Sequence, residues 1–283
     1  RARIESDPFH VGAFTVMAGD TAQSWVVPDD PLHLEFEYVQ RICEALDATV
    51  VARPTEERLR VVHLGGGGLT IPRYVAARRP GTAQIVCEPD ADLIEDVRRV
   101  MPLPRGSGIK VRTIDGRSGL EAMPPDYIDA LVLDAFDGAR VPPSLATVEF
   151  FDEVAARRRP QAVFCANITD RAPFAWARRF VAGVRATHRS LVVSAETPVW
   201  KGRRFGNLVV IASTGALPAT DLSRTAARAA FPYRFLAGRD VVDWIGDAEP
   251  FSDADAQASP RDRAGEAAEV EIGPVDPLHR QGE

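Results

Sequence analysis

Apolar residues along the chain occur in short runs rich in β-branched side chains, and stretches with helical spacing separate these runs. The first five runs are residues 61–64 (VVHL), 84–88 (QIVCE), 109–114 (IKVRTI), 128–134 (IDALVLD) and 161–168 (QAVFCANI). Strands that alternate with helices are typical of a parallel sheet covered on both faces. The pattern therefore predicts an α/β fold.

Two further apolar runs, residues 190–195 and 206–213, are separated only by the segment ETPVWKGRRF. That segment is too short to carry a crossover helix, so the last two strands must form an antiparallel hairpin. We therefore predict a doubly wound, mostly parallel sheet of seven strands with a terminal antiparallel hairpin. This is the methyltransferase-like version of the Rossmann fold, which binds S-adenosylmethionine, and a dinucleotide-binding sheet usually lacks the hairpin.

The negative charge of the chain is concentrated at its C-terminal end. The formal net charge is −6, and residues 249–283 contain nine acids and three arginines, so residues 1–248 are neutral. A segment rich in proline, alanine and acids buries too little apolar surface to order itself, and we predict a flexible acidic tail. A neutral body shows no electrostatic footprint for nucleic acid.

The sequence contains no pattern typical of a membrane span or of a metal site. No apolar run approaches the roughly 18 residues of a membrane span, and the start, RARIESDP, has no apolar signal region. Cys43, Cys87 and Cys165 form no C-x-x-C pair, which fits a reducing cytoplasm better than a zinc site or disulfides. The five histidines show no metal-ligand spacing, and we interpret His63 as a core residue with satisfied hydrogen bonds.

Four consecutive glycines, Gly65 to Gly68, follow the first strand and precede a predicted helix that begins near Leu69. Glycines allow a tight turn and a close approach of the backbone to a ligand, and the helix offers its N-terminal amides. Glu88 closes the second strand, where a carboxylate can accept both hydroxyl hydrogens of a ribose. This combination binds either a dinucleotide or S-adenosylmethionine.

Further acids follow the third and fourth strands, namely Asp115 in IDG and Asp134 and Asp137 in DAFDG. Carboxylates that converge in one cleft repel one another, and a cationic ligand relieves that cost. A sulfonium-bearing nucleoside beside an amine fits such a cleft better than a pyrophosphate does.

From about residue 20 to residue 213 these motifs resemble, in order, the landmarks of the spermidine synthases, a family of polyamine aminopropyltransferases. The matching segments are HLGGGGLT, VCEPD, IDGRSGL, YIDALVLDAFDG and VPPSLATVEFF, with AQSWVV and LEFEYVQRI upstream. The resemblance implies a small N-terminal β-unit plus helix at 1–57 and a nucleoside-binding domain at 58–248, which the acidic tail at 249–283 follows. It also suggests a dimer or a tetramer, and a homodimer is one such form.

The reaction that the resemblance implies is aminopropyl transfer from decarboxylated S-adenosylmethionine to a small-molecule amine, which releases 5'-methylthioadenosine. Asp134 matches the catalytic base of the family and Asp137 its partner. Tyr38 and Gln40 match the amine-binding pair. The residues implied to bind the donor are Gly65, Gly66, Gly67, Glu88, Asp115, Gly116 and Gln23.

Two positions depart from the family pattern. Gly68 stands where the family has an acid that holds the aminopropyl ammonium, and Gln40 replaces a glutamate of the amine-binding pair. Ordinary S-adenosylmethionine could therefore enter, which leaves a small-molecule methyltransferase as one alternative. A non-catalytic nucleoside-binding homologue is a second.

Three other residues are candidates for the same site. Trp25 could form a wall of the amine channel, although large aromatic residues more often pack in cores. Asn167 and Asp170 follow the fifth strand on the edge that faces substrate, and Asn167 could equally be a turn former.

Overall fold

The computed structural model describes residues 2–19 and 21–262. A small antiparallel sheet comes first, and its three strands are β1 (Ala2–Ser6), β2 (Phe14–Ala18) and β3 (Thr21–Val26). Its inner face buries Val16 and Val26 against Ile94 and Val97 of the main domain. The predicted N-terminal β-unit is therefore present and packs on the main domain.

Within the described residues, the main sheet has eight strands. They are β4 (Arg60–Leu64), β5 (Ala83–Cys87), β6 (Ile109–Arg112), β7 (Ile128–Leu133), β8 (Arg158–Asp170), β9 (Ser190–Glu196), β10 (Gly206–Ser213) and β11 (Tyr233–Ala237). The spatial order is β11-β9-β10-β8-β7-β4-β5-β6, with parallel pairing from β8 to β6 and antiparallel pairing elsewhere.

The predicted methyltransferase-like sheet with its antiparallel hairpin is confirmed, with one strand more than the seven predicted. The additional strand, β11, pairs with β9 at the edge of the sheet. It is short and only Tyr233 is fully buried, so its sequence lacks the apolar run that marks the central strands.

Helices cover both faces of the sheet. They are α1 (Glu37–Leu46), continued by a π-helical turn (Asp47–Val51), α2 (Thr70–Arg78), α3 (Ala91–Val100), α4 (Gly116–Glu121), α5 (Val148–Arg157), α6 (Ala175–Thr187), α7 (Thr197–Trp200), α8 (Ala219–Ala227) and α9 (Arg239–Ile245). Helices α1, α2 and α8 pack on one face, and α4, α5, α6 and α9 on the other. In the part of the chain that the structure describes, no helix has the length and apolar character of a membrane span.

The segment 249–262 packs on the body, contrary to the flexible tail predicted from residue 249. Phe251 is buried and pairs with Thr147, and Ser259 is buried behind the loop that follows β7. One buried aromatic residue and several backbone hydrogen bonds anchor this segment, which its acidic composition does not reveal. Residues 263–283 of the predicted tail lie outside the described residues, and the domain boundaries at 58 and 249 stay a prediction.

The strand order places the crevice of the fold at β4. The chain winds from β4 to β5 and β6 on one side and then returns to β7 and β8 on the other. In doubly wound sheets, ligands bind beyond the carboxyl ends of the strands at this point of reversal. The segments after β4, β5, β6, β7 and β8 therefore meet at one edge.

Candidate active site

The glycine turn after β4 is tied to the end of β5. The Glu88 carboxylate accepts hydrogen bonds from the amides of Gly66 (2.8 Å) and Gly67 (3.4 Å), and its second oxygen accepts one from the Asp90 amide (3.1 Å). Oε2 of Glu88 accepts both glycine amides, so the lone pair that is available to a ligand belongs to Oε1. The structure thus places Glu88 beside the turn, as predicted, and shows that it also holds the turn in shape.

Gly65 brings the glycine turn into contact with the end of β7. Its φ is +94°, and a Cβ atom there would lie 2.3 Å from the carbonyl oxygen of Asp134. A larger residue would therefore push the two strand ends apart. The amide of Asp134 in turn donates to the carbonyl of Leu64 (2.9 Å), so the segment at Asp134 is held against the glycine turn.

Asp115 and Gly116 form the start of α4 at the end of the β6 segment. The Asp115 side chain is exposed and accepts a hydrogen bond from the Ser118 amide (2.9 Å), which lowers the pKa of the carboxyl. Gly116 packs closely on Leu64 and Leu145, where a Cβ atom would lie 3.3 Å from each side chain. Both residues have a structural role here, and their predicted contact with the donor stays a prediction.

Asp134 lies immediately after β7 and receives two side-chain hydrogen bonds. The Asn167 amide, on β8, donates to one oxygen (3.0 Å), and the Tyr38 hydroxyl, on α1, donates to the other (3.4 Å). Burial raises the pKa of the Tyr38 hydroxyl well above its ordinary value, so it stays protonated and acts as a donor. Three elements that are distant in the sequence therefore orient one carboxylate.

Burial raises the pKa of Asp134 from 3.8 to about 6, and the hydrogen bonds from Asn167 and Tyr38 oppose that rise. A carboxylate with such a pKa is ionised at neutral pH and accepts a proton more readily than an ordinary aspartate. Perturbed carboxyl groups of this kind are frequent at functional sites. The arrangement suits a general base.

A narrow pocket opens beside Asp134, between the sheet, α1, the start of α2 and β3. Its lining residues are Ser24, Trp25, Glu35, Phe36, Tyr38, Val39, His63, Gly65, Gly66, Thr70, Ile71, Pro72, Val132 and Asp134. The walls combine aromatic and aliphatic side chains with polar groups, namely those of Ser24, Glu35, Tyr38, His63, Thr70 and Asp134. Such a lining suits a slender ligand with a polar group at its end.

Four candidate residues lie outside the lining of this pocket. The side-chain amide of Gln40 donates to the Leu34 carbonyl (2.7 Å), and neither Gln40 nor Gln23 is among the residues that line the pocket. Asp137 lies on the exposed loop after β7 and is also absent from the lining. Asp170 is buried and accepts hydrogen bonds from the amides of Arg171 and Ala177, so it holds the start of α6.

The glycine at position 68 has a steric explanation. A Cβ atom at Gly68 would lie 2.7 Å from Cγ2 of Val26 and 3.1 Å from Cβ of Ser24, both on β3. The Gly68 amide also donates to the Ser24 hydroxyl (3.0 Å). The small N-terminal sheet therefore occupies the space that an acidic side chain would need.

Two polar residues of the pocket, Ser24 and His63, were not assigned to the site from the sequence. Ser24 lies on β3 and carries no recognisable motif. His63 was interpreted as a satisfied core residue, but its Nδ1 atom is buried and has no hydrogen-bond partner among the described residues, and His63 lines the pocket. Trp25 does form a wall of the pocket, and its indole N–H donates to Asp7 (2.7 Å).

Among the described residues, no group of three His, Cys, Asp or Glu side chains could hold a metal ion.

The chain is similar to proteins named polyamine aminopropyltransferase. It is 27% identical to that of Vibrio vulnificus over 170 residues, which are 58% of this chain and 54% of the relative. It is 23% identical to that of Chromobacterium violaceum over 152 residues, which are 53% of this chain and 56% of the relative. The chain thus matches about half the length of these curated relatives, and no family model matches it.

One solved structure is similar to this chain over most of its length. A probable spermidine synthase from Corynebacterium glutamicum superposes with a TM-score of 0.82 and 28% identity, over 89% of this chain and 92% of that one. The chain resembles the spermidine synthases in sequence and fold. The resemblance expected from the motifs is thereby confirmed. Human methyltransferase-like protein 13, with a TM-score of 0.53 and 18% identity over 76% of this chain and 95% of that one, shares the fold alone.

Proposed function

We propose that the protein transfers an aminopropyl group from decarboxylated S-adenosylmethionine to an amine and releases 5'-methylthioadenosine. The observation that carries this proposal is the partly buried carboxylate of Asp134, which adjoins both the glycine turn and the narrow pocket. The relatives support an enzyme of the aminopropyltransferase type.

The donor would lie along the edge formed by the glycine turn, Glu88 and Asp115, with a ribose hydroxyl donating to Glu88. Oε1 of Glu88 keeps a lone pair beside the bond from the Asp90 amide, whereas Oε2 accepts the amides of Gly66 and Gly67. The amine would enter the narrow pocket, so that its nitrogen meets the reactive carbon beside Asp134.

The chemical step would be a direct displacement at the carbon next to sulfur. The amine nitrogen forms the new C–N bond, the C–S bond breaks, and sulfur keeps the electron pair as the thioether of 5'-methylthioadenosine. An amine attacks only when neutral, yet its pKa in water is about 10, so a base must accept its proton. Asp134 has that role, and each of its oxygens keeps a lone pair beside the bonds from Asn167 and Tyr38.

A product assay with both donors tests the proposal. The full chain is incubated with a diamine and either decarboxylated or ordinary S-adenosylmethionine, and the products are identified by mass spectrometry. We expect 5'-methylthioadenosine and an aminopropylated amine from the decarboxylated donor. S-adenosylhomocysteine and a methylated product would instead indicate the methyltransferase alternative. Tight binding of 5'-methylthioadenosine without turnover on any amine would indicate the non-catalytic alternative.

The dimer or tetramer that the resemblance suggests is part of the proposal. Light scattering of the full chain measures the mass in solution and tests it directly.

A further inference from the structure

His63 on β4 has one hydrogen-bonded ring nitrogen and one that lacks a partner. Its Nε2 atom lies 2.9 Å from Oε1 of Gln84, whereas Nδ1 is buried and has no partner within the described residues. The side chain is 1% exposed and lines the same pocket as Asp134. An unpaired buried polar atom costs about 1–3 kcal/mol, and such atoms in native proteins call for an explanation.

The neighbours of His63 fix which ring nitrogen carries the proton. The amide nitrogen of Gln84 donates to the carbonyl of Pro72 (2.9 Å), so the oxygen of that amide faces His63. The opposite orientation of Gln84 would place its oxygen against the Pro72 carbonyl, where two acceptors repel. Nε2 of His63 is therefore the donor to Gln84, and Nδ1 is a bare acceptor.

A neutral imidazole can receive a cation without repelling it. Burial lowers the pKa of His63 to about 4, so the ring is uncharged at neutral pH. Its free nitrogen can accept a hydrogen bond from an ammonium group, and such charge-assisted bonds are stronger than neutral ones.

The strand register sets the distance between His63 and the reaction centre. His63 pairs with Val132 on the neighbouring parallel strand β7, two residues before Asp134. At a rise of about 3.3 Å per residue, the two positions are roughly 7 Å apart along the strand direction. A slender pocket with a carboxylate at one position and an imidazole acceptor at the other fits a short unbranched diamine.

We propose that Nδ1 of His63 binds the distal nitrogen of an aliphatic diamine whose other nitrogen lies at Asp134. This inference rests on the proposed function for the identity of the amine site. It gives the distal nitrogen a partner that Gln40 does not provide, because the Gln40 amide is bonded to the Leu34 carbonyl. His63 would therefore determine the preference for diamines over monoamines.

Binding experiments test this role without requiring turnover. Calorimetry in the presence of 5'-methylthioadenosine compares 1,4-diaminobutane with 1-aminobutane for the full-length parent, for His63→Leu and for His188→Leu. His188 is the matched control, because it is also buried and neutral but its ring nitrogens contact Val184, Thr187 and Arg158 away from this pocket. We expect the parent and His188→Leu to bind 1,4-diaminobutane at least about tenfold more tightly than 1-aminobutane. One charge-assisted hydrogen bond produces an effect of this size. His63→Leu should bind both amines equally.

A measurement on the parent protein covers the case in which His63→Leu does not fold. Nitrogen-15 NMR of the labelled histidines reports the Nδ1 resonance of His63 directly. We expect it to shift on addition of 1,4-diaminobutane and to stay in place on addition of 1-aminobutane.

Different outcomes overturn the two proposals. A diamine preference that persists in His63→Leu, or an unchanged Nδ1 resonance with bound diamine, would overturn the role of His63 and leave the proposed function intact. A preference that depends on His63, without transfer from either donor, would overturn the proposed function alone. Failure of 5'-methylthioadenosine and of both amines to bind would overturn both.

Discussion

The amide of Asn167 donates a 3.0 Å hydrogen bond to the carboxylate of Asp134 and so joins the ends of two neighbouring parallel strands, β8 and β7. Asn167 is 2% exposed, so this bond is shielded from water. It favours the charged form of a carboxyl whose burial favours the neutral form. The balance between the two effects sets how readily Asp134 accepts a proton.

The substitution Asp134→Asn should lower turnover by at least about a hundredfold, because a positioned general base contributes a factor of about 10² to 10⁴. Steady-state kinetics with decarboxylated S-adenosylmethionine and a diamine measures the loss. Asp137→Asn, on the exposed loop nearby, is the matched control and should cost much less. Parent-like turnover by Asp134→Asn would exclude Asp134 as the base.

The same substitution should leave the protein equally stable or make it more stable above pH 6. In the parent, a carboxyl whose pKa is raised from 3.8 to about 6 binds more protons in the folded state than in the unfolded state between those values. Stability of the parent therefore falls as the pH rises through that range, and the Asp134→Asn variant, which has no carboxyl at this position, would lack this loss. Denaturant unfolding of both proteins at pH 4 and pH 8 measures the difference. A variant that is less stable at pH 8 than at pH 4, relative to the parent, would contradict the raised pKa.

The pH dependence of kcat/KM, which reports the free enzyme, should show an acid limb with an apparent pKa of about 6, since protonated Asp134 cannot accept a proton. Asn167→Leu removes a hydrogen bond that lowers this pKa, so the limb should move to higher pH. Tyr38→Phe removes the longer bond (3.4 Å) and should move it in the same direction by less. Movement of the limb to lower pH in either variant would contradict the assignment.

Glu88→Ala should weaken the binding of 5'-methylthioadenosine by about 2–4 kcal/mol, as expected when charge-assisted hydrogen bonds to a ribose are lost. Because Glu88 also holds the amides of Gly66 and Gly67, part of that loss could come from the turn itself. Calorimetry of the parent with the 2'-deoxy ligand separates the two effects. Equal binding of the deoxy and ribo ligands would show that Glu88 supports the turn and does not read the ribose.

Truncation after residue 248 should lower the melting temperature by at least about 5 °C relative to truncation after residue 262, because a buried aromatic residue contributes about 3–5 kcal/mol. The shorter protein lacks Phe251, which is 1% exposed, and the bonds that Ser259 makes to Val141 and Arg140. Since those two residues belong to the loop after Asp134, kcat should fall as well. Equal melting temperatures would show that residues 249–262 contribute no stability.

Gly68→Asp should destabilise the protein, because its Cβ atom would lie 2.7 Å from Cγ2 of Val26. Val26→Ala combined with Gly68→Asp removes that contact, and we expect the double variant to prefer the decarboxylated donor more strongly than Val26→Ala alone. Calorimetry with the two donors measures the preference, and thermal unfolding measures the strain. A Gly68→Asp protein as stable as the parent would show that β3 can move away from the glycine turn.

The sequence alone determined the class of fold and the edge at which the site lies. Alternating apolar runs fix strands and helices locally, and the short connection between residues 195 and 206 excludes a crossover helix, so the antiparallel hairpin follows from chain length alone. The common location of Gly65 to Gly67, Glu88 and Asp134 follows from the sequence as well, since each directly follows a strand and parallel strands end at a common edge.

Only the tertiary structure decided which side chains share the pocket and which are used elsewhere. Gln40 and Gln23 were predicted from short motifs, yet the direction of a side chain on a helix or in a bulged strand depends on packing against distant residues. The free nitrogen of His63 depends on Gln84 and Pro72, which are on other elements. The packing of residues 249–262 depends on a few contacts that an acidic composition conceals. Such features are pairings between residues far apart in the chain, and local patterns of hydrophobicity do not contain them.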